Sequence, residues 1–170
     1  MTEGLSPASE LCLSCGMCCA GDIHSIIALR PGEADRAKAS GFDVGIDETD
    51  GQPCAALPCR HLDGTACTIY DAWRPGTCSD YLCRLQVNLA DGKIALAEAV
   101  AEVGRIKTLI AARLPETARR PLRELVIEAA ERTGSGQIDP ASARLVLEVG
   151  TINREIDRVI RHPHQGTFQR

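Results

Sequence analysis

Apolar residues recur at helical spacing through most of the C-terminal half of the chain. Leu96, Val100, Val103, Ile106, Ile110 and Leu114 form one stripe in steps of three and four, which predicts a helix ending before Pro115. Pro121 opens a second such segment, carrying Leu122, Leu125, Val126, Ala129 and Ala130 to a break at Gly134-Ser135-Gly136. Asp139-Pro140 then supplies an N-cap and a first-position proline for a last helix with the stripe Leu145, Val149, Ile152, Ile156 and Val159. That narrow seam is expected to pack within the chain, against the helix after Pro121 or the one before Pro115. A homodimer or a protein partner through this helix is the sharper alternative. Upstream, Ser79 is placed to cap a helix from about Asp80 to Leu89, with Leu82, Leu85 and Leu89 on one face and Asp91-Gly92 as its end.

The N-terminal half has a different texture. Met1 to Glu10 reads as a flexible Ser, Pro and Gly bearing leader, and Asp22 to Leu29 as a short strand through Ile23, Ile26, Ile27 and Leu29. Arg30-Pro31-Gly32-Glu33 opens a helix ending at Gly41, and the acidic stretch from Val44 to Gln52 lacks a full calcium-loop pattern and reads as a solvated loop. Cys59 to Cys67 reads as a hairpin with Asp63-Gly64 as its two-residue turn, which brings Cys59 and Cys67 close. The expected fold is α+β: a small cysteine-rich, metal-organised half over residues 11–84, with a short strand and a hairpin, packed on a mainly helical half over residues 85–161. Residues 1–10 and 162–170 are expected to be flexible ends, the tail Arg161-His162-Pro163-His164 offering at most adventitious metal contacts.

Composition narrows the function. The length of 170 residues suits one domain, with or without an appended subdomain. A net charge of −4 argues against a broad basic surface, so nucleic acid is an unlikely partner. No run approaches the roughly 18 apolar residues of a membrane span, and no charged, apolar leader precedes Cys12, so the expectation is a soluble, cytoplasmic protein. There are nine cysteines. An odd count, no secretion signal and a chain long enough to fold without staples favour metal binding over a disulfide framework.

The densest chemistry is Leu11-Cys12-Leu13-Ser14-Cys15-Gly16-Met17-Cys18-Cys19, four sulfurs within eight residues. Two-residue spacers let a loop aim Cys12, Cys15 and Cys18 at one centre, and Gly16 permits a positive φ or a close backbone approach. A ferredoxin would place its next cysteine at residue 22, which is Asp22, and the C-x3-C-x2-C spacing of radical S-adenosylmethionine enzymes is missing. No Ser-His-Asp order, phosphate loop or dinucleotide fingerprint is present, so any enzymatic role would come from the metal site.

The opening C-x-x-C-G-x-C-C, the P-C-x-x-L at Pro58-Cys59, the C-x-I-Y of Cys67 to Tyr70, Arg74-Pro75 with Cys78, and the final C-x-x-Y-x-C together resemble the zinc- or iron-chelating family called the YkgJ or CxxCxxCC family. The resemblance covers Cys12 through Cys83. It implies a compact metal domain with Cys12, Cys15, Cys18, Cys19, Cys59, Cys67, Cys78 and Cys83 as ligands, leaving Cys54 outside the pattern. It also implies a link to protein methylation, since a related domain occurs in proteins assigned to flagellin lysine methylation. Eight thiolates would close two tetrahedral zinc sites, one [4Fe-4S] cluster with spare thiols, or a polynuclear site. The adjacent Cys18 and Cys19 would serve neighbouring centres, or one of them would stay free. Arg60, Arg74 and Arg84 are candidates to offset the thiolate charge, and His61, then His24, are the substitute ligands. Two roles follow: a metal-binding scaffold, carrier or regulator with a closed site, or an iron-sulfur or polynuclear enzyme in redox or protein-modification chemistry with Tyr70, Tyr81 or Cys54 near an open position.

Overall fold

The computed structural model describes residues 5–115, 120–134 and 139–161. The expected flexible residues 1–4 and 162–170, with His162 and His164, lie outside this set, as does most of the break after Gly134. The architecture is α+β, with seven helices and five short strands among the described residues.

Helix α1 spans Pro7–Cys15, so part of the leader expected to be flexible is helical. Ser6 accepts a hydrogen bond from the Ser9 N–H and Pro7 occupies the first turn, which together start the helix. Three strands then form an antiparallel sheet in the order β1-β3-β2: β1 (Ile26–Ala28), β2 (Val44–Ile46) and β3 (Pro53–Ala56). Central β3 pairs Ala55 with Ile27 on one side and with Val44 on the other. The strand expected from Asp22 is shorter than read, because residues before Ser25 serve another purpose. The Gly21 carbonyl accepts from Arg123 N–H at 3.1 Å, and the Asp22 carboxylate accepts from Leu122 N–H at 3.2 Å. Asp22 thereby caps the distant α6, Leu122–Gly134.

Helix α2, Ala34–Ala39, lies against this sheet, and Ile27, Leu29, Ala37, Phe42 and Ala55 make a small core there. Strands β4 (Leu62–Asp63) and β5 (Ala66–Cys67) form the expected hairpin, but Leu62 opposes Cys67 and Asp63 opposes Ala66. Its turn is therefore Gly64-Thr65, with Gly64 at φ 59°, a first-position glycine.

The helix expected from Asp80 to Leu89 is two helices. Helix α3 covers Gly76–Asp80 and α4 covers Arg84–Ala90, with extended backbone at Tyr81 and Cys83 between them. The long helices match the stripes: α5 is Leu96–Arg113, α6 Leu122–Gly134 and α7 Pro140–Val159. Asp139 caps α7 by accepting from Ser142 N–H at 2.8 Å. The α7 seam is covered within the chain by α6 and α5, leaving Ile152 and Ile156 fully buried. This larger core reaches into the N-terminal half through Leu11, Met17 and Ile23, each 2 % exposed or less. A helical core and a sheet core thus flank the cysteine-bearing segments.

Candidate metal centre

Cys12 and Cys15 stand three residues apart near the end of α1, on one face of the helix. Gly16 ends the helix in the left-handed region at φ 67°, its N–H returning to the Cys12 carbonyl. Both uses of this glycine foreseen in the sequence are present. A Cβ built on it would stand 2.8 Å from the Thr65 carbonyl oxygen and 2.9 Å from Thr65 Cα, so the hairpin closes directly onto the end of α1. The initial expectation of a loop carrying all three spaced cysteines is corrected accordingly: Cys12 and Cys15 are helical, and only Cys18 and Cys19 lie in the turn that follows.

The remaining sulfurs arrive from separate elements. The Cys59 N–H donates to the Cys19 carbonyl at 2.8 Å, tying the first loop to the segment after the cis Leu57–Pro58 peptide. Cys67 ends β5, Cys78 lies within α3, and Cys83 is the N-cap of α4. Gln86 fixes Cys83: its side-chain oxygen accepts from Cys83 N–H at 3.0 Å while its amide donates to the Ala8 carbonyl at 3.1 Å. Sequence reasoning missed Gln86. Its signal is the capping-box interval of three residues from the cap.

All eight cysteines line one cavity of about 230 Å³, and none is in a disulfide. Burial pushes their thiols up wherever a shift is resolved, to about 12 for Cys19 and Cys78 and to about 11 for Cys83. Neighbouring thiols add to the rise. Cys18 is raised well above its ordinary value by burial and then by Cys15, Cys83, Cys19 and Cys12. Cys19 is raised by burial and then by Cys59, Cys12, Cys78 and Cys67. Each of the eight is thus within electrostatic reach of several others.

A model of the CxxCxxCC family, described as "Putative zinc- or iron-chelating domain", matches residues 11–96. The chain belongs to the CxxCxxCC family. No curated protein and no solved structure matches it. The donor set of this CxxCxxCC chain fits zinc or iron chemically, since soft thiolates are the preferred ligands of both. Among the described residues, no group of three or more His, Cys, Asp and Glu is arranged to hold an ion as it stands. Ligation therefore requires the thiols to come closer together than they stand and to lose their protons.

The expected charge partners of the CxxCxxCC thiols divide. Arg74 acts on both Cys12 and Cys78, and its guanidinium lies 4.1 Å from the Tyr70 ring centroid. Arg60 is largely exposed and pairs loosely with Asp43 at 3.8 Å. Arg84 turns to the end of α7, donating its backbone N–H to the Ile160 carbonyl and its Nε to the Arg161 carbonyl. The cation that sequence reasoning missed is Lys107 on α5, which acts on Cys15 and Asp22. Nothing in local spacing links residue 107 to residue 15.

Of the secondary candidates, Tyr81 lies close enough to Cys18, Cys83 and Cys15 to be raised by them after burial. The His24 ring meets it edge-on at 4.9 Å, and burial with Arg161 and Arg123 lowers His24 to about 4. His61 stacks edge-on against Phe42 at 4.7 Å, on the sheet core. The Nε2 atoms of His24 and His61 are buried without a hydrogen-bond partner. Cys54, on central β3, also borders the cavity, but burial and then Asp47 and Asp50 raise it.

Proposed function

We propose that this protein holds zinc or iron, the iron as ions or as an iron-sulfur centre, through Cys12, Cys15, Cys18, Cys19, Cys59, Cys67, Cys78 and Cys83. The filled site serves as a scaffold, carrier or regulator. The observation that carries this reading is the convergence of eight free thiols from five separate stretches of chain on one cavity between two apolar cores. Thiols that keep their protons pack as small, weakly polar groups, and the same side chains lining one cavity are a donor set that a thiophilic cation takes up in exchange for those protons. Arg74 and Lys107 then offset part of the remaining negative charge. Nine free cysteines support a reducing compartment, which we take to be the cytoplasm. Among the described residues, no helix is long and apolar enough to cross a membrane. A homodimer through the C-terminal helix would use the side bearing Leu147, 70 % exposed, since the seam is already covered.

The second reading, an iron-sulfur or polynuclear enzyme of redox or protein-modification chemistry, is favoured by one feature. Tyr81 and His24 are a phenol and a neutral imidazole in contact beside Cys18 and Cys83. Anaerobic purification followed by elemental analysis, acid-labile sulfide assay and an ultraviolet-visible spectrum tests both. Colourless protein with bound zinc supports the scaffold role. Iron with labile sulfide supports the redox role, and protein that neither retains nor binds a thiophilic metal refutes the proposal.

A further inference from the structure

The eight thiols are not one ring. Cys15, Cys18 and Cys83 pack against the helical core, whereas Cys59 and Cys78 pack against the sheet core. The backbone makes the same division, because Cys19 is hydrogen-bonded to Cys59 while Cys83 is held through Gln86 to the first turn of α1. The adjacent Cys18 and Cys19 straddle the divide, Cys18 packing against the helical core with Cys15 and Cys83 as its foremost thiol neighbours, Cys19 having Cys59 foremost and then Cys12, Cys78 and Cys67. Cys12 is at the seam, within reach of Cys15 on one side and Cys67 on the other. Of the nearby cations, Lys107 acts on Cys15 on the helix side, and Arg74 acts on Cys78 on the sheet side and on Cys12 at the seam.

We infer that the cavity holds two metal centres of four thiolates each: a helix-side centre of Cys12, Cys15, Cys18 and Cys83, and a sheet-side centre of Cys19, Cys59, Cys67 and Cys78. The inference rests on the metal-binding reading above and adds the partition. Four ligands complete a tetrahedral thiophilic ion, so eight serve two. Cys12 joins the helix side with Cys15, its i+3 neighbour on the same helix. The vicinal pair is the partition itself: two successive residues feed two different centres. Ligation displaces one proton from each thiol, so filling both centres releases up to eight protons to solvent.

The test uses the full chain, stripped of metal and reloaded without oxygen with 113Cd2+ as a thiolate-seeking probe. Two cadmium resonances of equal intensity are expected, with two ions per chain by elemental analysis. Cys18→Ser and Cys83→Ser should each abolish or displace the same resonance, and Cys19→Ser and Cys59→Ser the other. A single ion or a single resonance in the unsubstituted protein overturns the partition while leaving metal binding intact, as does perturbation of the same resonance by Cys18→Ser and Cys19→Ser. Complete failure to bind cadmium overturns the metal-binding reading itself. The count in the unsubstituted chain stands even if one variant fails to fold, and paired variants on each side guard the assignment.

Discussion

Replacing Gly16 by alanine should do more damage than its size implies. Two costs add at this position. A Cβ in the left-handed region costs about 1–2 kcal/mol. The added carbon would also meet Thr65 backbone atoms at 2.8 and 2.9 Å, where ordinary contact begins near 3.4 Å. Neither neighbour is a side chain that can swing away, so the hairpin must shift by several tenths of an ångström, and overpacking of this kind costs about 1–3 kcal/mol. The total, roughly 2–5 kcal/mol, is a large share of the ~5–15 kcal/mol that keeps a domain folded. Gly51 provides the control, at φ 72° with nothing within 4 Å of its Cβ position. Gly51→Ala carries only the backbone cost of ~1–2 kcal/mol. Urea denaturation of both variants with chelator present measures each loss. Because Cys67 lies two residues beyond Thr65, Gly16→Ala should also weaken zinc affinity in a competition assay, and Gly51→Ala should not. Equal destabilisation by the two substitutions would refute the close-approach argument and leave only backbone strain.

Other consequences concern charge, protons and the ninth cysteine. Arg74→Ala removes the guanidinium near Cys12 and Cys78 and should lower metal affinity by about 10–100-fold, while the exposed Arg60→Ala should leave it unchanged by the same competition assay. Cys54→Ser should preserve metal content per chain and cost about 1–2 kcal/mol for placing a hydroxyl on the buried central strand, read by elemental analysis and denaturation. Metal-stripped protein should be most stable between about pH 6.5 and 9. Burial lowers His24 to about 4, so the unfolded chain binds more protons below pH 6.5 and stability falls as pH drops toward 4. Burial raises Cys19 and Cys78 to about 12, so the folded chain binds more protons above pH 9 and stability falls as pH climbs toward 12. Chemical denaturation across this range checks both limbs; a flat profile above pH 9 would contradict the burial of these thiols.

The legible and illegible parts of the fold differ in the range of the forces that make them. Helices α5, α6 and α7 are long enough for several turns of apolar repeat, and their Pro and Asp start signals are local. Helix α1 was readable in principle from Ser6 and Pro7, but Ser, Pro and Gly also mark loops, and the cysteines drew the boundary to residue 11. Strands β2 and β3 have three and four residues, too few for alternation, and β3 reads Pro-Cys-Ala-Ala, poor in strand formers. Only pairing on both edges makes it the central strand. Tyr81 to Cys83 became a break between helices because Cys83 is anchored by Gln86 and Arg84 is drawn to the end of α7.

The metal chemistry was written in the chain itself, since thiol identity and short spacing are covalent facts that no folding step alters. That is why the eight cysteines, the role of Gly16 and family membership could all be approached from residue order. Their grouping was another matter. Cys18 and Cys19 are neighbours in sequence, yet one faces the helical core and the other the segment at Cys59, forty residues on. Likewise Lys107 reaches Cys15 across ninety-two residues, and Asp22 caps a helix one hundred residues away. Electrostatics and burial act through space, so only the packed chain decides which sulfurs share a neighbour, which cation offsets them and which thiol is left to the sheet.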